Sequence, residues 1–218
     1  MIIEIRADNC FAFNEPVTFS MNADMRNKKF TYNVHKENGF NVLKTAGIYG
    51  SNNSGKTCLV KCIRAIRQIL LNAKPDIMSN LFNESNICTL GLTFLHNGRE
   101  FSYDFNMDVE SETFIYERFS EILKDKYGNE KEVLMLEKDM ENSRFYCLDE
   151  DVIPMMHMMS IENLFFYCID ANCFPHLKEM KQVLTERASK IDIINMNDIP
   201  MKTLNSTSQK IRDRKSVV

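Results

Sequence analysis

Eight residues, Gly50-Ser51-Asn52-Asn53-Ser54-Gly55-Lys56-Thr57, constrain this chain more than any other stretch. They satisfy the pattern of a phosphate-binding glycine loop, G-x-x-x-x-G-K-[ST], at every fixed position. The flanks point the same way. Upstream, Thr45-Ala46-Gly47-Ile48-Tyr49 is a short, mostly apolar run that predicts a buried strand ending at the loop. Downstream, Leu59, Ile63, Ile66 and Leu70 recur at spacings of four, three and four, with Lys61, Arg64 and Gln68 on another side. That period is one face of a helix. Strand, glycine loop and helix together form the context in which such a loop holds a nucleoside triphosphate.

Each position has a chemical reason. Gly50 permits a sharp turn, and Gly55 lets the backbone approach the phosphates without a clashing side chain. Asn53 tolerates left-handed backbone angles better than most non-glycine residues. The N–H groups of Ser51, Asn52, Asn53 and Ser54 and of the first helical turn converge on an anion, aided by the helix dipole. Lys56 neutralises the β- and γ-phosphates, and Thr57 offers its hydroxyl to Mg²⁺.

At 218 residues the chain supports one large domain, or a domain with an appendage. A net charge of -3 advertises no global affinity for nucleic acid or anionic membrane. No apolar stretch approaches the roughly 20 residues of a membrane span. Charged Glu4 and Arg6 inside the first apolar run argue against a secretory signal. Seven scattered cysteines among apolar neighbours read as reduced thiols of a cytoplasmic protein.

Along the chain, Ile3, Ile5 and Ala7 alternate with Glu4 and Arg6, and Val17, Phe19 and Met21 alternate again, predicting an opening antiparallel pair. Residues 22–41 are polar and read as a connection whose basic run, Arg26-Asn27-Lys28-Lys29, is a solvated loop. Asn72-Ala73-Lys74-Pro75 stops the helix. The clearest hairpin follows: Leu90, Leu92 and Phe94, a type I′ turn at Asn97-Gly98, then Phe101, Tyr103 and Phe105. Its two-residue turn sets Phe94 opposite Phe101 and Leu92 opposite Tyr103. Strand-like runs at Thr113–Tyr116 and Val133–Leu136, with a turn at Tyr127-Gly128-Asn129, extend it into an antiparallel meander. Beyond Asp151, a Met-rich stretch, read as core filler with an adaptable contact surface as the alternative, precedes a helix opened by Pro175, with Leu177, Met180, Leu184 and Ala188 on one face. This divides the chain into residues 1–150, a nucleotide-binding lobe with an antiparallel β-subdomain, residues 151–200, a helical segment, and residues 201–218, a polar tail.

Hydrolysis of a bound triphosphate needs a carboxylate for Mg²⁺ and often a second one for water. Phe145-Tyr146-Cys147-Leu148-Asp149-Glu150 offers both, and Phe166-Tyr167-Cys168-Ile169-Asp170 offers one. The first option would make the chain a self-contained NTPase with Asp149 on the metal and Glu150 on water. Cys58 with Cys62, and Cys168, Cys173, His157 and His176, lack the tight pair spacing of a metal site and read as buried thiols and ordinary histidines.

Three segments carry a family resemblance. The start, Ile3-Glu4-Ile5-Arg6-Ala7-Asp8-Asn9-Cys10-Phe11-Ala12-Phe13 with Thr18-Phe19-Ser20-Met21, resembles the opening of ABC-type ATPases of the abortive-infection and phage-defence kind, relatives of the SMC and recombination-repair ATPases. Leu43 to Thr57 resembles their phosphate loop, and Phe101–Phe105 with Tyr116-Glu117-Arg118 is similar to their pattern. The resemblance implies an α/β fold: a P-loop NTPase lobe of ABC-ATPase type with an antiparallel β meander and a C-terminal helical segment. It implies ATP and Mg²⁺ as ligands, and a second ATPase lobe or subunit meeting this one head to tail on ATP, with an effector protein as a further partner. No signature segment of L-S-x-G type occurs in the chain, so it reads as the N-terminal half of such an enzyme, holding ATP while hydrolysis needs residues from elsewhere. A nucleotide-responsive subunit that regulates a partner without hydrolysis is a further reading, and nucleic acid stays open as a partner.

Overall fold

The structure, a computed structural model, describes residues 1–26, 29–52, 54–124, 129–158 and 162–193. Its centre is a seven-stranded sheet in the order β2-β1-β5-β6-β7-β8-β9. The strands are β1 (Ile2–Asp8), β2 (Val17–Ser20), β5 (Ile87–His96), β6 (Arg99–Asp108), β7 (Thr113–Lys124), β8 (Glu130–Asp139) and β9 (Arg144–Cys147). A separate hairpin joins β3 (Val34–Glu37) to β4 (Phe40–Leu43). Two 15-residue helices, α1 (Lys56–Leu70) and α4 (Pro175–Ser189), and two single-turn helices, α2 (Ile153–Met156) and α3 (Phe165–Cys168), complete the regular elements.

The α/β expectation is overturned here. Every strand pairing among the described residues is antiparallel. Parallel strands need crossovers and helices on both faces. In this chain α1 leads back to β5, which runs antiparallel beside β1, and the face carrying Arg6 and Asp104 is lined with polar side chains. The strand expected at Thr45–Tyr49 is also absent: the segment is exposed and joins no sheet. A short apolar run is buried only where neighbours cover it, and Gly47 at its centre weakens any strand.

The antiparallel pairs expected from side-chain alternation are present in detail. Ile5 lies opposite Phe19 in the β1–β2 pair. Phe94 lies opposite Phe101 and Leu92 opposite Tyr103 across the turn at Asn97-Gly98. Both turn residues have positive φ, 52° and 74°, as a type I′ turn requires. Strands β7 and β8 run longer than their apolar centres because charged pairs such as Arg118–Glu132 carry them through the solvent side. The turn at Tyr127-Gly128 lies outside the described residues, as do Asn27 and Lys28 of the basic run and the polar tail. Residues 34–41, the later part of the expected connection, instead belong to the β3–β4 hairpin, turned at Asn38-Gly39 with φ of 47° and 85°.

The core lies between one face of the sheet and the helices. Helix α1 buries Leu59, Cys62, Ala65, Ile66, Ile69 and Leu70 there, while α4 buries Leu177, Met180, Val183, Leu184 and Ala188. Aromatic rings from the meander fill the space between: Phe101 stacks on Phe119 with centroids 5.5 Å apart, and Tyr103 reaches Phe166 at 6.2 Å. Each such ring taken from water contributes about 1.5–3 kcal/mol. Residues 152–188 supply side chains to the same cluster as β1 and the meander, so the helical segment shares one core with the sheet. Of the Met-rich stretch, Met156 is buried, whereas Met155 and Met158 are exposed.

Candidate phosphate-binding loop

The loop is set between two anchors. Behind it, β4 ends at Leu43, and the Lys44 N–H donates to the Asn33 carbonyl at 2.7 Å. Ahead of it, α1 begins at Lys56 with Gly55 as its N-cap, held at φ 82° in the left-handed region. Glycine reaches that conformation without the steric cost that a β-carbon brings. A β-carbon on Gly55 would also sit 3.2 Å from the Phe13 ring. One on Gly50 would collide with Ser54 Oγ at 2.6 Å. Gly55 is therefore required by the loop as folded, whereas the Ser54 hydroxyl can rotate away from a β-carbon at Gly50.

Lys56 folds back over the loop. Its Nζ donates to the Gly50 carbonyl at 2.8 Å, to the Ser51 carbonyl, and to Ser54 Oγ at 3.2 Å. The ammonium thus links the entrance of the loop to the first residue of the helix. The Leu59 N–H finds its acceptor within the turn, on the Gly55 carbonyl at 3.1 Å. The N–H groups ahead of it belong to the helix end that has no intrahelical acceptors, and Gly55 brings no side chain to cap them.

A cavity of about 430 Å³ opens here, lined by Asn52, Ser54, Gly55, Lys56 and Thr57 and by Ala12 from the turn after β1. That turn is closed by reciprocal backbone hydrogen bonds between Cys10 and Phe13, at 3.0 and 2.9 Å. Ala12 and Phe13 are the site neighbours that motif reading missed, since no local pattern ties residue 12 to residue 55. Of the sequence-derived site, Gly50, Ser51, Asn52, Ser54, Gly55, Lys56 and Thr57 form one continuous feature, and Asn53 lies outside the described residues.

Asp149 and Glu150 stand elsewhere. Strand β9 is the edge strand at the opposite end of the sheet from β2. The Asp149 carboxylate accepts the Leu177 N–H at 2.8 Å, which caps the first turn of α4. Behind α1, the buried Cys10 thiol meets Cys62 and Cys88. The hydrogen bond with Cys62 is the chief cause that pushes the Cys10 thiol far up, and the same bond lowers Cys62. Cys10, Cys58, Cys62, Cys88, Cys147 and Cys173 are free thiols.

Among the described residues no group of three or more His, Cys, Asp or Glu side chains is arranged to hold a metal ion. Thr57, beside Lys56 in the lining of the loop cavity, brings a hydroxyl, a ligand type that a hard cation keeping several waters accepts. No protein-family model matches this chain, and no curated protein is significantly similar to it. Among the described residues no helix is long and apolar enough to cross a membrane.

Proposed function

We propose that this chain binds a nucleoside triphosphate, as its Mg²⁺ complex, on Gly50–Thr57. The observation that carries the reading is the placement of Lys56: a cation at the uncapped start of a 15-residue helix, curled over the glycine loop that precedes it. Bound phosphates would meet the N–H groups of the helix start and the Lys56 ammonium, and Thr57 would reach the metal. The chemistry supplied by Mg²⁺ is neutralisation of phosphate charge.

The resemblance to ABC-type ATPases of the abortive-infection kind makes ATP the nucleotide, the cytoplasm the compartment and antiviral defence the setting. Asp149 is engaged as a helix cap, which supports the reading that the chain holds nucleotide while a second lobe or subunit brings the hydrolytic groups. Calorimetric titration of the full chain with ATP and Mg²⁺ tests this, beside Lys56→Ala and a turnover assay. Saturable binding that Lys56→Ala abolishes, with no turnover, supports the proposal. Binding indifferent to Lys56→Ala refutes the site, and turnover abolished by Glu150→Ala refutes the division of labour.

A further inference from the structure

The overall charge of -3 conceals an asymmetry. From Met25 to Pro75 the chain carries ten Lys and Arg and one acid, Glu37, leaving seventeen cations and twenty-nine acids for the rest. Within it Lys74 pairs with Glu112, Arg26 pairs with Asp24 and Lys56 is folded onto the glycine loop, so the cations that bear on a polyanion here are those around β3 and β4.

Exposed aromatic rings gather on the same stretch. Phe30, Tyr32 and Tyr49 are 65%, 75% and 93% exposed. Phe30 and Tyr32 stand edge to face with centroids 6.0 Å apart. Phe30 has left-handed backbone angles, φ 59° and ψ 31°, a costly conformation for a bulky residue. The segments bearing these rings are tied together. Asn33 Nδ2 donates to the Thr45 carbonyl at 2.8 Å, and the Lys44 ammonium donates to the Tyr32 carbonyl at 2.9 Å. Lys44 therefore lies beside this aromatic pair, Lys29 directly precedes Phe30, and exposed Lys36 follows on β3. The nearby acids are engaged locally: Asp24 with Arg26 at 2.9 Å, and Glu37 with His35 at 3.1 Å.

We infer that this face binds single-stranded nucleic acid, its bases stacking on Phe30, Tyr32 and Tyr49 and its phosphates meeting Lys29, Lys36 and Lys44. Flat apolar rings among cations match a polymer that alternates flat bases with anionic phosphates. A duplex hides its base faces and would use the cations alone. The inference is independent of the nucleotide reading, because it needs neither Lys56 nor Mg²⁺.

Fluorescence anisotropy of a fluorescein-labelled thymidine 20-mer, titrated with the full chain without nucleotide at 50 and 200 mM salt, tests it. Binding should weaken with salt, and Tyr32→Ala and Tyr49→Ala should each weaken it by roughly tenfold, the scale of one lost stacking contact. Lys44→Gln should flatten the salt dependence. Circular dichroism of each variant confirms that it is folded. Four outcomes overturn the inference: no binding at 50 mM salt; binding untouched by both aromatic substitutions; a duplex of equal length binding as well as the single strand; or loss of binding on Lys56→Ala alone, which would assign the contact to the phosphate loop.

Discussion

Glu117 on β7 and Lys138 on β8 form an ion pair with both side chains wholly buried, Nζ to Oε1 being 3.5 Å. Glu117 is the hub of a small network: it accepts from the Tyr103 hydroxyl at 3.0 Å and from the Phe165 N–H at 3.0 Å. The pair thereby pins α3 to the sheet. Removing one partner strands the other charge in the core, which costs about 3–5 kcal/mol, whereas an apolar pair of similar volume is often neutral. Lys138→Met and Glu117→Leu should each destabilise strongly in urea unfolding. The double variant should be less unstable than the two losses added, although the Tyr103 hydroxyl and the Phe165 N–H still lose their acceptor in it; a double variant as unstable as the sum of the two would contradict this account.

The same carboxyl sets a pH dependence. Burial, only partly offset by the Lys138 ammonium and the Phe165 and Tyr103 donors, raises Glu117 above the usual 4.5. A carboxyl raised on folding adds stability below its unfolded value, and that contribution is lost as pH climbs through the folded value. Lys138→Met removes the compensating charge, so its deficit relative to the parent chain should widen as pH rises above about 4.5. Unfolding curves across pH 4 to about 8 read this directly; a deficit independent of pH would show that Glu117 does not titrate in the fold.

The proposed contact of Thr57 with Mg²⁺ has a metal-specific test. Thr57→Ala should weaken ATP binding by about tenfold, roughly 1.4 kcal/mol, when Mg²⁺ is present. With EDTA in place of the metal the loss should be much smaller. Equal losses in both conditions would mean that the hydroxyl serves the loop and not the ion.

Gly55 should be intolerant for two separable reasons. Gly55→Ala places a side chain in the left-handed region, at about 1–2 kcal/mol, and presses it against Phe13. Adding Phe13→Ala should relieve the contact and leave the backbone cost in place. Full rescue of thermal stability by the second substitution would show that the backbone conformation carries no cost there.

Much of this architecture can be read from local pattern. A two-residue turn at Asn97-Gly98 leaves no freedom in register, so the ten residue pairs between β5 and β6 follow from it. Asn38-Gly39 carries the same signal, yet the polar residues around it hide a hairpin whose apolar side is only Phe40 and Val42. Glu117 is opaque to pattern reading, because its burial depends on Lys138 some twenty positions away. Thr45–Tyr49 misleads for the opposite reason: its composition suits burial, but burial is decided by what lies next to it. At the candidate loop, spacing singles out Gly50, Gly55 and Lys56, while Ala12 and Phe13 come beside them only through the fold.

The arrangement of the sheet also has a kinetic side. Strands β5 to β9 are neighbours in sequence and in space, so each hairpin closes a short loop, whereas Arg6 must find Thr93 across 87 residues. Closing that long loop defers its reward until most of the chain entropy has been lost. The meander is then the expected folding nucleus, and β1 docks onto a formed edge, carrying the phosphate loop inside the last segment to close. Substitutions in β6 and β7 should slow folding, while Ile5→Val should mainly speed unfolding; a chevron in which Ile5→Val slows folding instead would reverse that order. A ligand that grips Gly50–Thr57 would act as a late latch, lengthening the lifetime of the closed chain without hastening its assembly.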